Sequence, residues 1–143
     1  MDMPHFIDHL SSLTVPAIQD CAARIKGAES AADDVAWWRA TLAVDRALTR
    51  AGTGRAAGLA ASAAAGTVRD AAARGGARLP DRDVTCAARS AAAVARALIA
   101  GVGGPHLTLL LRPWRLESEG SDREPDGRAR WRRYAVGSHS AVA

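Results

Sequence analysis

Apolar residues recur along this chain at the three- and four-residue spacing of helices, broken at regular points by Gly, Pro and charge. Phe6, Ile7 and Leu10 follow Pro4 and predict a short opening helix. Thr14 stands where an N-cap belongs, and Pro16 falls in a first turn, where a missing N–H costs little. Val15, Ile18, Ala22 and Ile25 then predict a helix over about 15–26, stopped at Lys26-Gly27.

The best-marked helix runs from Asp33 to Arg50. Ser30 is a plausible N-cap with Asp33 at N3, and acids at the start with Arg at the end suit the helix dipole. Trp37, Thr41, Val44 and Leu48 predict its inward stripe, widened by Trp38 and Leu42, while Arg39, Arg46 and Arg50 share a solvated face. Asp45 lies on the Trp38/Leu42 side and is not explained by the helix start. If partly buried it needs a partner, which an Arg from the basic middle of the chain would supply.

After the Ala51–Gly54 stop, a third helix is predicted over about 54–74. Gly54, Gly58, Ser62 and Gly66 recur every four residues, with Leu59, Ala63 and Val68 as its bulk. Such a flat ridge admits a close neighbouring backbone, and Trp37 is expected to pack on it. Ala73 to Pro80 breaks the pattern. Asp81 or Asp83 then caps a helix over about 82–101, with Val84, Ala87, Ala88, Ala91, Val94, Ala95, Leu98 and Val102 as its stripe. Gly101 to Pro105 ends it, and His106–Arg112 reads as a last helical turn or two over the open end. From Glu117 the composition turns charged and Gly/Pro-bearing, which predicts disorder. The predicted architecture is therefore all-α: an antiparallel bundle of four main helices with short terminal helices over 4–114, then a disordered basic tail, 115–143.

Composition sharpens this picture. The 143 residues suffice for one domain with a real core, but much of the 48% apolar content is Ala and aromatics are only 4%. Such a core needs closely approaching helices rather than large side chains. Net charge is +4, carried by Arg, with Lys26 the single Lys. That usage also follows from a GC-rich genome, so basicity alone does not name a nucleic-acid partner. Charge is uneven: −2 over residues 1–50, +4 over 51–111 and +2 over 112–143. No signal-like opening or membrane-length apolar run is read, so the expected location is cytoplasmic.

Candidate chemistry is sparse. Cys21 and Cys86 make neither a disulfide framework nor a metal-ligand spacing. His5 and His9 sit one turn apart and could share a metal with Asp20 or Cys21, although polar surface is the favoured account and no metal or cofactor is expected. No Glu-x-x-His occurs, which argues against a di-metal carboxylate bundle, and no nucleophile triad is visible. Arg128, Arg130, Trp131, Arg132 and Arg133 interleave base and aromatic, a pattern suited to single-stranded nucleic acid. The leading expectation is a non-enzymatic interaction or structural protein that self-associates, with Trp37, Trp38, Asp45, Gly54, Gly58, Ser62 and Gly66 as packing or interface residues. A nucleic-acid accessory protein using the basic middle and tail is the alternative. The Asp34–Leu48 run, with Leu79–Thr85 later, resembles a loose set of uncharacterised small Ala/Arg-rich helical proteins of GC-rich bacteria. That resemblance implies a helical fold and attaches no activity.

Overall fold

The computed structural model describes residues 1–27, 31–76 and 79–116. Among these the chain is all-helical: α1 (Met3–Ser11), α2 (Val15–Gly27), α3 (Ala31–Ala51), α4 (Gly54–Arg74), α5 (Asp81–Ala100), α6 (Gly104–Leu111) and a 3₁₀ turn at Arg112–Trp114. Of the tail expected to be disordered, Arg115 and Leu116 are described, Leu116 packing on the core, and the rest, like the capping assigned to Ser30 and Asp33, lies outside the described residues and side chains.

Local chemistry sets most boundaries. The Asp2 carboxylate accepts the His5 N–H at 2.9 Å and caps α1, with Pro4 in the first turn. Thr14 caps α2 as its position predicts, accepting the Ala17 N–H at 3.2 Å. α5 begins differently from expectation. Pro80 occupies its N-cap with no side-chain cap bond, and Asp81 and Asp83 lie in the first turn. Asp83 instead pairs with Lys26 in the last turn of α2, each charge at the helix end its dipole favours. At the other end Gly101 adopts φ 74, and the Val102 N–H reaches back to the Ala97 carbonyl at 3.1 Å. A residue with a Cβ would be strained there.

The core is assembled around α5, which buries Ala87, Ala88, Ser90, Ala91, Val94, Ala95 and Ala97. α4 lies along it more extensively than any other pair of elements, presenting Ala57, Ala64, Val68 and Ala71. Alanine against alanine is what lets these two backbones approach so closely. The large side chains come from the periphery inward: Phe6 and Leu10 of α1, Ile18 of α2, and Leu110, Leu111 and Pro113 near the C-terminal end are all fully buried.

That last group belongs to the segment after Gly104, where a last helical turn or two is predicted, and it contributes large side chains to the core. Leu107, Leu109, Leu110 and Leu111 are buried in α6, and Trp114 follows at 3% exposure. The Trp114 indole N–H donates to the Ser90 hydroxyl at 3.1 Å, and Phe6 meets the indole edge-on at 6.1 Å between ring centroids. Arg24 donates to the Pro113 carbonyl at 2.8 Å and ties the same turn to α2.

Candidate interaction surface

α3 keeps part of its expected inward stripe and departs from the rest. At about 100° per residue, positions 40, 44 and 48 share one face, and Ala40, Val44 and Leu48 are buried there, with α6 and α5 as the main neighbours. Thr41, expected in this stripe, is exposed and returns its hydroxyl to the Trp37 carbonyl at 3.0 Å. Ala40 takes the inward place because it lies about 40° from Val44, whereas Thr41 lies about 60° away on the other side.

Trp37 is half-buried against the core. It does not pack on the flat ridge of α4, as expected, but lines a groove of about 590 Å³ with Ile25 of α2 and Thr85, Cys86, Arg89 and Ala93 of α5. The ridge points the other way. Gly54, Gly58 and Ser62 are exposed, Gly66 is partly so, and a Cβ added at any of the three glycines would meet nothing within 4 Å. Leu59 and Ala63, expected to supply packing bulk, are also outside, Leu59 at 68% exposure. The small residues that α4 uses for close approach are its alanines, on the opposite face.

The outward side of α3 carries Val35 at 47% and Trp38 at 63% exposure, with the partly buried Leu42 one turn on. Their i, i+3, i+7 spacing places them in one stripe roughly opposite Val44. Val35, Trp38 and Leu59 are the large apolar residues left exposed among the described residues, and two of the three lie in this stripe. Arg39 and Arg46 flank it on one side. On the other flank stand Asp34, exposed, and Asp45.

Asp45 receives the arginine anticipated for it. Arg96 of α5 donates to its carboxylate at 2.6 Å, with the two side chains 38% and 48% exposed for Arg96 and Asp45. A hollow of about 440 Å³ beside the pair is lined also by Leu48, Thr49, Gly52 and Gly54. At that exposure the pair links α3 to α5 but adds little stability.

The remaining candidates are engaged elsewhere. His5 Nδ1 lies 3.0 Å from the Asp2 carboxylate, while His9 stands edge-on to Trp114 at 6.5 Å. Burial lowers the His9 pKa from 6.5, which keeps the ring neutral. Burial also pushes the Cys21 thiol up to about 12, against the pull of Arg24, so it is an inert core thiol. Among the described residues no three His, Cys, Asp or Glu side chains converge on a point that could hold a metal ion. No helix among them is long and apolar enough to cross a membrane. Arg128, Arg130, Trp131, Arg132 and Arg133 lie outside the described residues. No protein-family model, curated protein or solved structure matches the chain.

Proposed function

We propose that this chain is a non-enzymatic helical interaction protein that associates with itself, its main helices running as antiparallel neighbours and its outward helix faces serving as contact surfaces. The observation that carries this reading is the Val35–Trp38–Leu42 stripe, a tryptophan-centred apolar strip on a helix whose other side already fills the core. Tryptophan is among the residues most enriched at the energetic centres of interfaces and depleted from ordinary solvated surface. The small-residue face of α4, with open space at Gly54, Gly58 and Gly66, is a second outward surface on which a backbone can lie closely.

Light scattering on a dilution series tests the reading. The wild-type chain is expected to gain mass with concentration, and Trp38→Glu to stay monomeric with an unchanged far-UV CD spectrum. A wild-type chain that stays monomeric up to about 1 mM, where even a weak association of ~4 kcal/mol is half-formed, sinks it.

A further inference from the structure

The outward stripe of α3 has a register as well as an area. Positions 35, 38, 42, 45 and 49 fall three and four residues apart, the spacing of a and d positions in a two-stranded coiled coil. Val35, Trp38 and Leu42 fill the first three. Asp45 fills the fourth, with its charge drawn sideways onto Arg96 at 2.6 Å, and Thr49 the fifth. In that frame Ala40 and Ala47 are the f positions, which a coiled coil turns away from its partner, and Ala40 is buried in the chain's own core. Over Val35, Trp38 and Leu42 the seam therefore lies opposite the buried side of the helix, while Asp45 and Thr49 border the hollow shared with Arg96 of α5.

The flanks choose the orientation. Asp34 occupies a g position and Arg39 and Arg46 occupy e positions, all three exposed and none in an ion pair with another described residue. In parallel two-stranded packing g faces e of the other helix, five residues on, so Asp34 meets Arg39 of the second copy on both sides of the seam. In antiparallel packing like flanks meet, and the Arg39/Arg46 row is set against itself. We infer that two copies of this chain pair through α3 in parallel, with Val35, Trp38 and Leu42 forming the seam and two symmetric Asp34–Arg39 contacts setting direction. This rests on the self-association reading above and adds the helix, partner, register and orientation.

A thiol placed at position 49 reads the orientation. Thr49 is exposed and its hydroxyl bonds only within its own helix, to the Asp45 carbonyl, so Thr49→Cys is tolerated. In a parallel pair the two new thiols face each other. In an antiparallel pair centred on the same three apolar residues they stand about 30 Å apart along the axis, at 1.5 Å per residue. With Cys21→Ala and Cys86→Ala as background, mild oxidation is expected to cross-link the Thr49→Cys chain, and adding Trp38→Glu to abolish the product. Asp34→Arg or Arg39→Asp alone should each weaken association about five-fold, and the double exchange should restore it. A dimer lost in Trp38→Glu that neither cross-links at position 49 nor responds to the charge reversals overturns the parallel pairing and leaves self-association standing. A dimer indifferent to Trp38→Glu overturns the α3 seam itself. A chain that stays monomeric at every concentration overturns both.

Discussion

Replacing Trp114 with alanine is expected to be among the most damaging single changes in this protein. The indole is 3% exposed and its N–H is bonded to Ser90 at 3.1 Å. Burying roughly 200 Å² of aromatic surface at about 25 cal/mol per Å² contributes on the order of 5 kcal/mol as an upper estimate. Losing the bond leaves the mostly buried Ser90 hydroxyl short of a donor, worth about 1 kcal/mol more. Measured losses for large aromatic truncations run at about 3–5 kcal/mol, and that is the expected loss here. Against a total of roughly 5–15 kcal/mol for a domain, it takes the variant close to unfolding. Urea denaturation followed by far-UV CD reads the change. Trp114→Phe separates the terms, since it keeps most of the ring and loses the N–H, so it should cost about 1–2 kcal/mol. A Trp114→Ala chain that loses less than ~1 kcal/mol would refute the placement of the 3₁₀ turn in the core.

Other consequences follow from particular contacts. Ala64→Leu or Ala91→Leu should cost at least ~1–3 kcal/mol in thermal or urea unfolding, because both alanines are fully buried in the α4–α5 region. Gly58→Ala should raise stability by about 0.5–1 kcal/mol, since the added methyl meets nothing within 4 Å and the helix interior gains backbone order. His9 is held neutral by burial, so its folded pKa lies below 6.5 and the unfolded chain binds more protons in the window between them. Stability is therefore full above 6.5 and falls as pH drops through that window; His9→Phe should flatten this part of the urea-midpoint profile.

Helix content was legible because alanine and the breaker residues both act locally. Gly52, Gly75 and Gly101 end or follow helices where the sequence places stops, and Thr14 caps where its position predicts. Which face of a helix turns inward was much less legible in an alanine-rich chain. On α4 the glycines and the alanines each form a flat row, and periodicity cannot tell which row meets a neighbour. The answer comes from α5, whose own alanines face Ala57, Ala64 and Ala71. Trp37 and Trp38 posed the same problem, resolved by Ala40 rather than Thr41 joining the buried side. Ser90 and Trp114 were missed for another reason: their bond spans 24 residues, beyond the reach of any local pattern. A signal did exist, in a lone serine within an apolar stripe and a tryptophan just after a leucine run. The Asp45–Arg96 pair was half legible, since the need for an arginine could be argued from one helix while its identity depended on how α3 crosses α5.

The central claim is that the outward stripe of α3 is covered by a second copy, and hydroxyl-radical footprinting read residue by residue in a mass spectrometer tests it most directly. Trp38 starts at 63% exposure and Trp114 at 3%, so the buried indole serves as an internal reference. The account predicts that oxidation of Trp38 falls as protein concentration rises while Trp114 stays protected throughout. Equal oxidation of Trp38 from the most dilute to the most concentrated sample would contradict it.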